Sequence, residues 1–283
     1  LSLKYKFERR IGLYPTAFDP DGVMYSTTAF GDYPCWNADY DIKNPFDRFT
    51  GWMLLSYEKP VKDPVPTASI PLHLTDENMR TYWAAKTGEP GEWIEIDLGA
   101  MKHIKRSNST TMTIKVCSIN RDKDLYYQYR IYSSDNGTDW TLAVDKSDND
   151  KDVPHDYIEL GETLDARYLK LENIHVPSGN FCLSEFRVFG NADGEKPLPV
   201  RNFKVVRDKQ DKRNAMICGI LHPIAYGYNI YYGIAPEKLY NCITVNGADH
   251  YDFRGLDLGT TYYFAIEALN ESGRSALSKV VKQ

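Results

Sequence analysis

The chain has 283 residues, enough for two or three domains, and its 42% hydrophobic and 26% charged content is that of an ordinary globular protein. A net charge of −5 argues against nucleic acid as a partner. No apolar run approaches the roughly 20 residues of a spanning helix, so membrane insertion is not expected. The chain opens at Leu1 without a signal-peptide pattern, which reads as a processed chain or an excised piece. Its cysteines, Cys35, Cys117, Cys182, Cys218 and Cys242, are widely spaced and form no CxxC pair. Neither a zinc site nor a disulfide scaffold is expected. Buried free thiols are the reading, with a Cys218–Cys242 bridge left open.

Strand patterns dominate from end to end, and no window holds a 3.6-residue stripe over three turns. At most, Asp76 to Ala85 has room for a short helical turn. In residues 1–58, "RRIGLYPTAFDPDGVMYSTTAFGDYP" reads as strand, turn and strand, with Asp21-Gly22 closing a hairpin. "FTGWMLLSYEKPV" reads as one more strand. This segment resembles the last blade of a family 43 glycoside hydrolase, a five-bladed propeller. The resemblance implies that the catalytic carboxylates lie on earlier blades, outside this sequence. Pro15, Asp19, Asp21 and Asp32 receive no catalytic role from it, and Asp19 and Asp21 read as turn residues. A lone blade exposes one apolar face, so the segment is expected to pack on the following domain or on the remaining blades.

"EKPVKDPVPTASIP", residues 58 to 71, reads as an extended proline-rich connector, and "GNADGEKPLPVRN", 190 to 202, as a second. Between them "GEWIEIDLG" alternates Ile94, Ile96 and Leu98 against Glu95 and Asp97. "YYQYRIYSSDNGTDW" sets Tyr127, Tyr129 and Ile131 on one face and turns at Asn136-Gly137. "ARYLKLENI" sets Leu169 and Leu171 opposite Tyr168 and Lys170. In "NFCLSEFRVFG", Phe186 and Val188 share one face and Arg187 and Phe189 the other. Together with "TDENMRTYW", these motifs resemble a discoidin domain, the coagulation-factor type C domain, over roughly 66 to 190. Family 32 carbohydrate-binding modules share that fold. The resemblance implies an eight-stranded jelly-roll sandwich whose end loops hold a ligand.

A sugar needs a flat ring for its C–H face and planar polar groups for its hydroxyls. By resemblance, Phe181 occupies the aromatic position before the last strand, with Asn180 beside it. Arg121, Trp83, Lys86 and His175 are further candidates. Core packing competes with this reading at Phe181 and Trp83, a capping or surface role at His175, and a solvated charge run at Arg121 in "NRDKD". In similar modules a carboxylate at the place of Glu185 joins a D-x-N-x-x-T loop around one structural calcium. Asp76, Asn78 and Thr81 fit that loop, and hard oxygen donors from two segments suit the ion. A strand carboxylate paired with an arginine is the alternative.

In residues 197–283, "LDLGTTYYFAIEALNESGRS" matches an L-x-x-G-T-x-Y pattern at Leu256, Gly259, Thr260 and Tyr262. It resembles the F and G strand region of a fibronectin type III domain. Tyr262 would be the corner tyrosine, with its hydroxyl returning to nearby backbone. "YGYNIYYG" would be the C strand, and Leu221 stands near the place of a tryptophan usual in that fold. Tyr226, Tyr231 and Tyr240 offer either a partner-binding row or sheet-surface packing.

The fold class is thus all-β: a jelly-roll sandwich over 59–190, a second sandwich over 197–283 and a short N-terminal β segment. Combined, the resemblances imply a non-catalytic carbohydrate-binding accessory region of a secreted polysaccharide-degrading glycoside hydrolase. Its location would be secreted, periplasmic or cell-surface. Its partners would be an oligo- or polysaccharide and the remaining blades of the parent enzyme. An adhesion or protein-docking module is one alternative. A glycoside hydrolase in its own right is another, although no facing carboxylate pair, G-x-S-x-G, HExxH or phosphate loop is evident.

Overall fold

The computed structural model describes residues 14–36, 43–64, 69–78, 80–103, 110–116, 126–153, 155–160, 164–177, 179–220 and 222–283. In chain order the strands are β1 (Thr16–Phe18), β2 (Met24–Ser26), β3 (Met53–Leu54), β4 (Val61–Lys62), β5 (Trp83–Ala84), β6 (Trp93–His103), β7 (Thr110–Val116), β8 (Gln128–Ser134), β9 (Thr141–Asp145), β10 (His155–Leu160), β11 (Asp165–His175) and β12 (Cys182–Gly190). They continue with β13 (Lys204–Arg207), β14 (Asn214–Cys218), β15 (Gly227–Gly233), β16 (Asn241–Asn246), β17 (His250–Arg254), β18 (Tyr263–Asn270), β19 (Gly273–Arg274) and β20 (Val281–Lys282). Among the described residues there is no α-helix. The helical turn expected within 76–85 forms earlier, as a 3-10 turn at Pro71–Leu74. There Pro71 presets φ at the first helical position.

The middle sandwich packs the sheet β10-β7-β12-β3, with β5 also on β12, against the sheet β4-β6-β11-β8-β9. Its core is built from the alternations read above. Ile94, Ile96 and Leu98 of β6, Tyr129 and Ile131 of β8, Leu169 and Leu171 of β11, and Phe186 and Val188 of β12 share one buried cluster. Each such side chain contributes about 1.5–3 kcal/mol when fully removed from water. The hairpin between β8 and β9 turns at Asn136-Gly137 as expected. Gly137 takes φ 76°, and Asn136 Oδ1 accepts from the backbone of Thr138 and Asp139 at 2.9 Å. Two edges come from outside the strand motifs read above. Within the proline-rich connector, β4 pairs with β6, and β3 of the N-terminal segment pairs with the end of β12.

The C-terminal sandwich sets β13-β14-β17 against β16-β15-β18-β19, with β20 on β18. Tyr262 closes its corner: the hydroxyl donates to Asp257 Oδ2 at 3.1 Å and accepts from the Asp257 backbone N–H at 3.4 Å. Cys218 and Cys242 are both free thiols, so no bridge joins them. Leu221 lies outside the described residues.

Between the sandwiches sits the N-terminal segment. Phe30, Tyr33, Trp52, Met53 and Leu54 form one cluster with Phe189 of the middle sandwich and Tyr231, Cys242 and Leu269 of the C-terminal one. This explains why Phe189, on the outward face of β12, is fully buried. It also fixes the fate of the tyrosine row. Tyr231 donates to Glu267, Tyr226 meets Tyr33 hydroxyl to hydroxyl at 3.3 Å, and Tyr240 stacks on Tyr25 at 4.3 Å. The second connector is anchored as well. Its Ala192 N–H donates to the Glu271 carbonyl, and the Glu271 carboxylate bridges Lys59 and Lys102.

Candidate functional site

One end of the middle sandwich gathers the loop before β6, the start of β8, the loop after β9 and the turn between β11 and β12. Asn173, 1% exposed near the end of β11, organises it. Its Nδ2 donates to the carbonyls of Gly88 and Glu89, both at 3.0 Å, and its backbone bonds Gly91 and Glu92. Asn180 donates from Nδ2 to the Ala85 and Lys86 carbonyls at 2.9 Å, while the Phe181 backbone bonds Thr87 and Ala85. The 85–91 and 176–181 loops are therefore stitched together by amides whose buried donors are satisfied.

This stitching decides the expected sugar-contacting residues. Phe181 is 2% exposed and lies edge-on against Trp83, which is 0% exposed, at 5.6 Å. Trp83 Nε1 donates to Asp63 Oδ2 at 3.0 Å. Both rings belong to the core, so neither can stack on a sugar arriving from solvent. Phe181 turns inward because its backbone pairs with the 85–87 loop, and Trp83 because β5 lies on β12 at Leu183. The packing alternative holds at both positions. Asn180 is exposed, but both of its amide hydrogens are committed to the loop. Arg121 lies outside the described residues.

His175 stays at the surface, half-buried, and stacks on Tyr126 with ring centroids 4.7 Å apart and planes 29° from parallel. Sequence reasoning missed Tyr126. The signal was present, since the alternation that buries Tyr127 and Tyr129 must turn Tyr126 and Gln128 the other way. Gln128 Nε2 and Asn149 Nδ2 tie the loop after β9 to this same strand start. The end thus presents a flat aromatic pair, the exposed Lys86 ammonium and amide oxygens, which together offer a stacking surface edged by hydrogen-bonding groups.

The D-x-N-x-x-T loop forms a second cluster. Thr81 Oγ1 lies 3.0 and 2.9 Å from the two Asp76 carboxylate oxygens and 2.7 Å from the Asn78 carbonyl. Glu77, between Asp76 and Asn78, takes φ 55° and pairs with Arg187 of β12. Glu185, two residues earlier, projects from the same face of β12 as Arg187. Carboxylate, carbonyl and hydroxyl oxygens of one loop therefore sit together, and the Glu77–Arg187 pair ties that loop to β12.

The family model for the F5/8 type C domain matches residues 66–186, and this part of the chain is an F5/8 type C (discoidin) domain. Similar solved structures include chitosan-binding module 2 of a Paenibacillus sp. IK-5 chitosanase/glucanase in complex with chitotriose. It is 23% identical, with 48% of this chain and 99% of that one covered and a TM-score of 0.40. A family 32 carbohydrate-binding module of Clostridium perfringens NanJ in complex with galactose is 17% identical, covering 49% and 98%, with TM-score 0.40. A Streptococcus pneumoniae fucose binding module is 17% identical, covering 50% and 98%, also at 0.40. No curated protein matches the chain at a significant level.

Proposed function

We propose that this chain is a non-catalytic carbohydrate-binding region, carried by a secreted polysaccharide-degrading glycoside hydrolase, that holds its parent enzyme near a glycan. The observation that carries this reading is the Tyr126–His175 pair, placed where β11 pairs with the start of β8 at the loop end of a discoidin domain. A pyranose would lay its C–H face on the pair while Lys86 and the loop amides meet its hydroxyls. Weak single-site binding suffices for such a role, because tethering raises the effective concentration of the enzyme at its polymer. The N-terminal segment would meet the remaining blades of the parent, and the C-terminal sandwich, with its Tyr262 corner, would be a fibronectin type III spacer.

The same reading places one structural calcium among Asp76, Asn78, Thr81 and Glu185. The ion would tie the loop after Leu74 to β12, and its role would be cohesion rather than chemistry.

A glycan array tests the binding reading. Wild-type chain should retain at least one glycan class, and Tyr126→Ala should lose that signal at unchanged melting temperature. Capture of protein or phospholipid alone would favour an adhesion role and sink the proposal.

A further inference from the structure

A crevice of about 370 Å3 opens between the N-terminal segment and the C-terminal sandwich, and no residue of the discoidin loops lines it. Phe46, Tyr240 and Leu277 form its walls, and Glu267 and Arg274 lie at its polar side. The size falls at the lower end of the range for small-molecule sites, which are mostly apolar with a few placed polar groups.

Glu267 is 4% exposed. Its Oε1 accepts from Asn229 Nδ2 at 2.9 Å and from the Tyr231 hydroxyl at 2.8 Å. Its Oε2 faces Arg274 Nη1 at 3.6 Å, beyond hydrogen-bond reach. A carboxylate this deeply buried calls for a partner at each oxygen. The group that fits between a carboxylate and a guanidinium must donate to one and accept from the other through a single atom. A hydroxyl does this, whereas an ammonium only donates and a carboxylate only accepts.

The apolar wall is rigid. Tyr25 stacks on Tyr240 at 4.3 Å, and the Tyr240 hydroxyl donates to Asp19 at 2.8 Å, so this ring is fixed from the N-terminal side. Phe46 lies 6.1 Å from Tyr231. We infer that this crevice is a second saccharide site, taking a polyhydroxylated ring whose hydroxyl bridges Glu267 and Arg274 while its C–H face meets Tyr240 and Phe46. Because Phe46 comes from the N-terminal segment and the other walls from the C-terminal sandwich, the site exists only while the two are docked. It is independent of the binding proposed at the discoidin loops.

The test is calorimetric titration of the full chain with galactose, N-acetylgalactosamine, N-acetylglucosamine and chitotriose. Five forms are compared: wild type, Tyr126→Ala, Arg274→Ala, Leu277→Trp and the Tyr126→Ala, Leu277→Trp double variant. Leu277 is 47% exposed, so its replacement fills the crevice without disturbing the core. One sugar should bind to Tyr126→Ala with unchanged affinity, at least tenfold more weakly to Arg274→Ala, and not measurably to a Tyr126→Ala, Leu277→Trp double variant. Binding that Tyr126→Ala alone abolishes, or that survives in the double variant, overturns the crevice site, as does a wild type that binds none of the sugars. If every sugar that binds is lost with Leu277→Trp and untouched by Tyr126→Ala, the discoidin-loop reading falls and the crevice stands.

Discussion

Arg187 and Glu77 form a two-pronged ion pair, Nε to Oε1 at 2.9 Å and Nη2 to Oε2 at 2.8 Å, with side chains only 12% and 15% exposed. Arg187 also donates to the Asp32 carbonyl at 2.9 Å and lies over the Phe189 ring at 4.8 Å. The D-x-N-x-x-T loop, β12 and the N-terminal segment therefore meet at one guanidinium. Burial pushes the Glu77 carboxyl up, against the pull of Arg187.

Removing one partner strands the other in a low-dielectric setting. Glu77→Ala is expected to cost about 3–5 kcal/mol in urea unfolding. Because residue 77 has φ 55°, Glu77→Gly should be less damaging than Glu77→Ala by about 1 kcal/mol. An alanine variant within experimental error of wild type would show that the pair holds nothing together.

Phe181 should behave as a core residue. Phe181→Ala opens a cavity against Trp83 and is expected to lower stability by about 3–5 kcal/mol. Tyr126→Ala, at the surface, should leave the unfolding midpoint within about 0.5 kcal/mol of wild type. A Phe181→Ala protein of full stability that loses a glycan signal would reverse this assignment.

At Gly88 an added Cβ would collide with the Gly179 carbonyl oxygen and with Val176. Gly88→Ala must push the 85–91 and 176–181 loops apart. The expected cost is about 1–3 kcal/mol. Glycan affinity should fall alongside it, while the C-terminal sandwich keeps its own melting transition. Unchanged affinity on the array would separate those loops from binding.

If calcium bridges Asp76, Asn78, Thr81 and Glu185, chelation should lower the melting temperature of the wild type, and re-addition of calcium should restore it. Glu185→Gln should erase most of the difference. Identical melting curves with calcium and with chelator would remove the ion from the account.

The docking of the N-terminal segment should be acid-sensitive. The Lys238 ammonium, 2.9 Å from Asp19, holds the Asp19 carboxyl down at about 2 against an ordinary value of 3.8. A depressed carboxyl contributes stability that is complete above its unfolded value and is lost as pH falls through the folded one. The segment should therefore loosen between about pH 4 and pH 2. Limited proteolysis over that window reads the loosening, and Asp19→Asn should flatten the profile. An Asp19→Asn profile superimposable on wild type would refute the ion pair's role.

The sequence by itself determined the strands, their inward faces and their turns. Period-two alternation in β6, β8 and β11 and the Asn136-Gly137 and Asp21-Gly22 turns are local properties, set by side-chain direction and by which residues tolerate positive φ. Motif order was likewise enough to mark a discoidin-like stretch over roughly 66 to 190, where the family model matches 66–186. What only tertiary structure decided is which ring beside a strand end faces water. Phe181 and His175 flank the same turn, yet one completes a core beside Trp83 and the other stacks on Tyr126, a residue 49 positions away along the chain. The outward face of β12 was equally undecided, because Phe189 is buried by a segment more than 130 residues earlier. Pairing across such distances depends on how sheets stack, which alternation within a single strand does not encode.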